Sequence, residues 1–262
     1  MNKLVILLFL FAVGSSMGWC IELFFRRFLD PVERKKKKWV NPGFLTGPCL
    51  PVYGFGLILL YALGHIELPM LDSNPFLQKL CIFLLMAMAM TSVEFISGMI
   101  FIHGMHLQLW DYTPYWGNIK GVICPLFSLF WYVLAAFYYL CMHPRILTAL
   151  DWLSRNLVFT WFIGWFYGIL TIDLIYSFNV AGRLKAMADE YGVIIKYGAF
   201  KSKILDLQME AKERTSLFVQ TRMRTVSVRE IFEQHRENFS IRIPHPIDAI
   251  KTKVKEHKKN HE

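Results

Sequence analysis

Five long apolar runs constrain this chain more than any other feature. They cover residues 4–25, 43–66, 80–102, 121–142 and 157–178. Each run is long enough to cross a bilayer, which takes about 20 residues, and no soluble chain of 262 residues could bury five such helices. Only 19% of the residues are charged, against about a quarter in an average soluble domain. The sequence therefore predicts an all-α polytopic membrane helix bundle with five transmembrane helices in residues 1–178.

The distribution of basic residues predicts how the chain is threaded. Seven Lys and Arg lie between Arg26 and Lys38, after the first run, whereas Lys3 alone precedes that run. Basic loops remain on the cytoplasmic side of a membrane, so the N-terminus is predicted outside and the C-terminus inside. Because the positive charge follows the first run and the apolar residues continue to Phe25, we expect an uncleaved first span and no signal peptide.

The excess of basic residues predicts a membrane partner. The formal net charge of +9 comes mainly from the two stretches that are predicted to be cytoplasmic. Anionic lipid headgroups attract such stretches, and no aromatic and basic signature of a nucleic-acid-binding fold accompanies them. We therefore expect contact with anionic lipid and none with nucleic acid. The five cysteines all lie in the apolar runs without a CxxC pair, which indicates small apolar side chains and no disulfides.

Residues 179–262 are predicted to form a basic cytoplasmic tail that is helical and partly disordered. Val193, Phe200, Ile204, Leu207 and Ala211 follow the spacing of one apolar stripe on a helix. The prolines after residue 243 and the basic end, residues 251–262, are typical of a disordered terminus.

A unit of two spans occurs twice in the sequence. The shared pattern is a glutamate in the first span, then Trp-x-Asn, then a proline seven residues after the asparagine. The two copies are Glu22, Trp39, Asn41 and Pro48, and Glu94, Trp116, Asn118 and Pro125. Because each unit crosses the membrane twice, both copies enter from the same side, which predicts a parallel internal repeat.

Acidic residues inside the spans point to a polar site. Glu22, Glu94 and Asp173 lie in the predicted cytoplasmic halves of their spans. Such an acid costs at least about 2.5 kcal/mol near the bilayer centre and normally faces a bundle interior or a cavity. Gly14, Gly18 and Glu22 are spaced by four residues, so two glycines on the same face would let another helix come close.

Glycines and prolines interrupt spans 2 and 4 at corresponding positions, which frees backbone carbonyls. These breaks are Gly43, Gly47, Pro48 and Pro51 in span 2, and Gly121 and Pro125 in span 4. Two interpretations follow. In one, the glutamates with Asn41 and Asn118 line a cavity open to the cytoplasm, where they bind a ligand or exchange protons. In the other, the glutamates only hydrogen-bond the broken backbone as a structural lock.

These residues resemble a known family. Gly18, Trp19 and Glu22, followed by NPGFLTGP (residues 41–48) and PVYG (residues 51–54), are similar to the ABC-transporter type IV (CmpB-like) integral membrane proteins of Gram-positive bacteria. Trp110, Asp111 and Tyr112 also fit this pattern. The resemblance implies a permease in the cell membrane and a role for the matching residues. No GxxxxGK[ST] motif occurs, so transport would need a separate ATPase subunit or an ion gradient.

The sequence therefore predicts a permease-like protein with a polar acidic site in the cytoplasmic half of the bundle, and no metal or cofactor. The candidate ligand-binding or proton-exchange residues are Glu22, Glu94, Asn41, Asn118, Asp173, Trp110, Asp111 and Tyr112. His103 and His106 are expected at the interface, because a metal site usually needs three protein ligands. Because five spans are few for a solitary transporter, a homo-oligomer or a partner subunit is expected.

Two alternatives stay open. One is a membrane-embedded enzyme that acts on lipid-linked or headgroup substrates through its acids. It is the less favoured, because the sequence shows no nucleophile paired with a base. The other is a non-catalytic assembly or regulatory protein that uses the tail.

Overall fold

The computed structural model describes residues 2–28, 39–66, 74–215 and 240–242, and these residues are mostly helical. The helices are α1 (Lys3–Phe28), α2 (Pro51–Leu63), α3 (Pro75–Met105), α4 (Pro125–Phe137), α5 (His143–Arg155), α6 (Thr160–Tyr191) and α7 (Tyr197–Thr215). A π-helical turn, Tyr138–Met142, joins α4 to α5, and a 3-10 turn, Leu157–Phe159, precedes α6. The predicted all-α helix bundle is confirmed.

Four helical stretches in the described residues are long and apolar enough to cross a membrane. They are Lys3–Phe28, Pro75–Met105, Pro125–Arg155 and Leu157–Tyr191. The predicted span 43–66 is helical only over Pro51–Leu63, about 20 Å at 1.5 Å per residue, which is shorter than a hydrocarbon core of about 30 Å. The count of five spans and the orientation therefore stay predictions.

Proline determines where α2 and α4 begin. Pro51 and Pro125 each occupy the first turn of a helix, and Leu50 and Cys124 before them are extended. A residue before proline is disfavoured in the helical region, and proline needs no backbone donor in a first turn. The helices therefore start later than the apolar runs, which begin at residues 43 and 121.

The helices also continue beyond the predicted ends of spans 4 and 5. The expected loop after residue 142 is the amphipathic helix α5, which buries Ile146, Leu150 and Leu153 on one face. α6 passes residue 178 without a break and ends at Gly192, which adopts a positive φ of 61°. Polar residues on one face of α5 made this segment look like a loop, although the opposite face packs. The end of α6 belongs to the tail that was predicted to be helical.

A small sheet follows α6 and was not predicted. Strand β2 (Val193–Lys196) pairs in parallel with β1 (Leu107–Gln108) and antiparallel with β3 (Ser240–Arg242). The single apolar stripe predicted for the tail is wrong at its start, because Val193 lies in a strand and Phe200 in α7. The side chains of Leu207 and Ala211, and residues 251–262, lie outside the described part.

Each predicted repeat unit is a pair of packed helices, α1 with α2 and α3 with α4. The first pair is held close by glycines, as the spacing predicted. A Cβ atom at Gly18 would lie 2.2 Å from Tyr53, and one at Gly54 would lie 2.2 Å from the Ser15 hydroxyl. Such contacts allow only glycine at these positions, and they fix Tyr53 against α1.

The tail packs onto the bundle through a buried apolar cluster. The cluster joins the segment before α2, the sheet, α6 and α7, and includes Phe44, Leu45, Leu107, Leu184, Ile195 and Phe200. The start of the tail is therefore part of the folded body at the end of the bundle where α1 and α3 finish and α2 and α4 begin.

Candidate functional site

The non-helical segment 41–50 between α1 and α2 is organised by side chains. The Asn41 amide donates hydrogen bonds to the carbonyls of Leu45 and Thr46, at 3.2 and 2.6 Å. Its own oxygen accepts from the Trp19 indole nitrogen at 2.5 Å. Asn41 therefore orients the backbone of this segment.

Asp173 on α6 binds the same segment. Its two carboxylate oxygens accept backbone hydrogen bonds from Thr46, at 3.0 Å, and Gly47, at 2.9 Å. The Ser177 hydroxyl adds a third, at 3.2 Å. Because the carboxylate satisfies donors that a broken helix leaves unpaired, Asp173 acts here as a structural lock.

Two tail residues complete the contacts of segment 41–50. The Lys201 amine lies 3.3 to 3.4 Å from the carbonyl oxygens of Asn41, Gly43 and Leu45, and the Tyr197 hydroxyl donates to Phe44. Burial, and then the charge of Arg26, lowers the pKa of Lys201 to about 8. Neither residue stood out in the sequence, because a lone lysine or tyrosine in a basic tail has no local signature.

The second unit uses Asn118 in a similar way. Its amide donates to the carbonyls of Thr113, at 3.1 Å, and Tyr115, at 2.9 Å, and its oxygen accepts from the Gly121 nitrogen at 3.1 Å. Gly121 has a positive φ of 66°, which glycine adopts without strain. Asn118 therefore shapes the loop before α4.

The two units differ in length between the asparagine and the helix. α2 begins at Pro51 and α4 at Pro125. The structural counterpart of Pro125 is therefore Pro51, and the pairing of Pro48 with Pro125 is wrong. The run 43–66 contains two prolines, Pro48 and Pro51, and the spacing from the asparagine pairs the first of them with Pro125.

The two glutamates bind side-chain donors. Glu22 forms an ion pair with the Nε atom of Arg26 at 2.8 Å and accepts from the Tyr53 hydroxyl at 3.1 Å. Glu94 accepts from the Tyr112 hydroxyl at 2.8 Å and from the Trp131 indole nitrogen at 2.9 Å.

An aromatic pair connects these two acidic groups. The rings of Tyr53 and Trp131 have centroids 5.5 Å apart. Tyr53 binds Glu22 and Trp131 binds Glu94, so acids from the two repeat units flank one aromatic contact. Tyr53 belongs to the PVYG motif, whereas Trp131 is one aromatic residue within an apolar run and gave no signal.

The loop after α3 supplies the remaining predicted residues. The Trp110 indole nitrogen donates to the Val122 carbonyl at 2.8 Å. Asp111 forms an ion pair with Lys196 of β2 at 2.7 Å. Burial opposes ionisation of Asp111, but hydrogen bonds from Lys196 and Thr113 outweigh it and lower its pKa.

Tyr112 remains a hydrogen-bond donor at neutral pH. Burial, followed by the charges of Glu94 and Glu22, raises the pKa of Tyr112 well above its usual value. The hydroxyl is therefore protonated and available to Glu94.

A cavity of about 1210 Å³ lies among these groups. It is lined mainly by aromatic and aliphatic side chains, with polar groups from both units and from the tail. The polar lining includes Glu22, Arg26, Tyr53, Glu94, Tyr112 and Lys196. Trp110, Asp111, Gly43 and Pro51 also contribute, whereas Asn41, Asn118 and Asp173 lie outside the described lining.

This arrangement is suited to binding. A ligand in the cavity would meet a long apolar wall and a small set of hydrogen-bonding groups at one place, which is the usual composition of a small-molecule site. The two predicted histidines lie elsewhere: His103 contacts the Met99 carbonyl and His106 pairs with Asp189 at 2.5 Å.

One of three comparisons with known proteins assigns the chain to a family. Searches of curated proteins and of solved structures found no match to this chain. A family model described as "Putative ABC-transporter type IV" matches residues 9–178, which is more than half of the chain and includes Glu22, Glu94 and Trp131. This protein therefore belongs to the ABC-transporter type IV family of transporter-like membrane proteins.

Proposed function

We propose that this protein is a permease-like subunit in the cell membrane and that its cavity binds an amphipathic substrate. The observation that carries the proposal is that Glu22 and Glu94, one from each repeat unit, line the same cavity. Polar side chains inside a membrane bundle normally face a substrate pathway or a cavity.

The size and lining of the cavity support this substrate class. Pockets for drug-sized ligands measure about 300 to 1,000 Å³, so a cavity of about 1210 Å³ has room for a head group and an apolar chain. Phe25, Phe127 and Phe130 contact one another along one wall, with ring centroids 5.8 to 6.1 Å apart. An apolar chain would bury its surface against them.

Transport by this subunit would need an energy source other than nucleotide hydrolysis at a P-loop of this chain. The sequence has no GxxxxGK[ST] motif, which is the loop that cradles nucleotide phosphates in P-loop ATPases. A separate ATPase subunit or an ion gradient would supply the energy, and a second copy of the chain could complete the pathway.

The proposal is tested by photolabelling of the protein in lipid nanodiscs. Photoreactive dodecyl probes with a hydroxyl, an ammonium or a carboxylate head group are each titrated against the unlabelled amphiphile. We expect at least one probe to label cavity-lining residues such as Phe127 and Leu134 in a saturable way. Ala199→Trp, which places a large ring in the cavity wall, should abolish that labelling.

Lipid-facing residues supply the internal control. Trp165 and Ile172 on α6 are 64% and 71% exposed, so they should react with every probe without saturation. Labelling confined to such positions, with nothing saturable in the cavity, would contradict the proposal.

A further inference from the structure

The charges that line the cavity do not balance. Glu22 pairs with Arg26 at 2.8 Å, and Asp111 pairs with Lys196 at 2.7 Å. These two pairs are each neutral as a whole. Glu94 has no basic side chain within ion-pair distance in the described ranges, so it is the one acid of this lining that lacks a positive partner.

Glu94 has capacity for a further partner. The residue is only 5% exposed, and each of its oxygens accepts one hydrogen bond from an uncharged donor, Tyr112 or Trp131. A carboxylate offers about four lone-pair positions, so about two are left. Burial without a positive partner disfavours the ionised form of a carboxylic acid, and a cation with hydrogen-bond donors would stabilise that form.

Gln108 also has a side-chain acceptor without a hydrogen-bond partner in the described structure. It lines the cavity, is 6% exposed, and its side-chain oxygen has no hydrogen-bond partner in the described structure. Its amide nitrogen donates to Asp111 at 3.4 Å. This oxygen is buried from solvent, so an N–H or O–H group of a ligand would reach it only after the side chain moves. Two groups of the lining therefore have free acceptor positions, the Glu94 carboxylate and the Gln108 oxygen, and Glu94 adds negative charge when it is ionised.

From these groups, and resting on the function proposed above, we infer that the substrate is an amphiphile with an ammonium head group that carries N–H donors. Its charge lies beside Glu94, and its N–H groups bind the free lone pairs there. The aromatic rings of Tyr53 and Trp131 next to Glu94 favour a cation further. The apolar chain lies along the phenylalanine wall. A carboxylate head group in the same place would face Glu94 with a like charge, which is unfavourable.

The three dodecyl probes test the head group directly. In the unmodified protein we expect the ammonium probe to bind about 10- to 100-fold more tightly than the hydroxyl probe, as for a hydrogen bond to a charged group. The carboxylate probe should bind most weakly. This ranking needs no variant, so it decides the inference even if a substitution fails to fold.

Substitution of Glu94 gives the second measurement. Glu94→Gln keeps the size of the side chain and removes its charge, so the ammonium and hydroxyl probes should bind with similar affinity. Asp151→Asn is the matched control, because Asp151 is an exposed acid paired with Arg155 on α5 and has no place in the cavity. It should leave the ranking unchanged.

The outcomes separate this inference from the function on which it rests. Equal binding of the three probes in the cavity would overturn the ammonium head group and leave the amphipathic substrate intact. Absence of saturable cavity labelling by all three would overturn both. A ranking that Glu94→Gln leaves unchanged would also contradict the inference.

The lipid composition of the nanodiscs then shows whether the ammonium group belongs to a bilayer lipid or to a free amine. Nanodiscs of phosphatidylethanolamine present lipid N–H donors, whereas phosphatidylcholine presents none. Weaker labelling by the ammonium probe in phosphatidylethanolamine would identify a bilayer lipid as the substrate. Equal labelling in the two bilayers would identify a free amine, and both results support the head group inferred here.

Discussion

The carboxylate of Asp173 accepts a backbone hydrogen bond from Gly47, a residue 126 positions away in the sequence, at 2.9 Å. This contact ties α6 to the non-helical segment before α2. It also distinguishes the acids, because Asp173 binds broken backbone whereas Glu22 and Glu94 bind side chains at a cavity. The structural lock was predicted for the glutamates, but in the described residues Asp173 is the acid that hydrogen-bonds the broken backbone. The cavity interpretation is proposed for the two glutamates.

Substitution of Asp173 should destabilise the protein. Asp173→Ala removes the acceptors for Thr46 and Gly47, and each hydrogen bond to a charged group is worth about 1.5 to 3 kcal/mol. We expect a lower midpoint of thermal unfolding in detergent. Thr171→Val is the control, because Thr171 is exposed on the same helix and bonds only the carbonyl of Tyr167. Equal midpoints for the two variants would contradict the lock.

Substitution of a glycine at the contact between α1 and α2 should destabilise the protein, whereas substitution of an exposed glycine on α6 should not. Gly18→Ala places a methyl group 2.2 Å from Tyr53, and such overpacking costs about 1 to 3 kcal/mol. Gly168→Ala meets nothing within 4 Å and gains helix propensity. The first variant should unfold at a lower temperature and the second at the same or a higher one. The reverse order would show that α1 and α2 are not in close contact.

The losses of stability on removal of the two donors to Glu94 should not be additive. Tyr112→Phe and Trp131→Phe each remove one hydrogen bond to the same carboxylate, which costs about 1.5 to 3 kcal/mol. Because the two bonds share one acceptor, the double variant should differ from the sum of the single effects by about 0.5 to 3 kcal/mol. Thermal or denaturant unfolding of all four proteins measures this coupling. Strict additivity would mean that the donors do not share Glu94.

The contact between the tail and the loop after α3 should keep its stability from neutral pH to about pH 5. The pKa of Asp111 is lowered in the folded state, so its contribution to docking is complete above the ordinary pKa of about 4 and is lost as the pH falls through the lowered value. Hydrogen exchange at the Ile195 amide, which bonds the His106 carbonyl, reports this docking. Its protection should be constant from neutral pH to about pH 5.

Asp111→Asn supplies the comparison for that measurement. It removes the charge that pairs with Lys196, so protection at Ile195 should be lower and should no longer depend on the ionisation of residue 111. A loss of protection in the unmodified protein well above pH 5 would show that another group controls docking.

A charged residue in an apolar run is easy to recognise, which is why the sequence singles out Glu22 and Glu94 as candidates. The family resemblance was also predictable from local motifs, and the match to residues 9–178 confirms it. The start of α2 was harder, because Pro48 and Pro51 both fit a helix N-terminus and the contacts of Asp173 and Lys201 select between them. Those contacts join residues more than a hundred positions apart, so no local pattern reveals them.

The contribution of the tail was hidden for the same reason. Strand β1 has two residues, too few for any alternation of apolar and polar side chains to be visible. Lys196 and Lys201 look like ordinary solvated lysines until the fold places them beside Asp111 and the carbonyls of segment 41–50. A basic composition describes the average of a tail and gives no information on which lysine is buried.

The wall that Lys196, Gly198 and Ala199 form has a practical consequence. A truncated protein that ends at residue 178, where the family match ends, would contain both glutamates of the site but would lack one wall of the cavity. Comparisons among relatives that stop at that boundary would then overlook part of what determines which molecules fit.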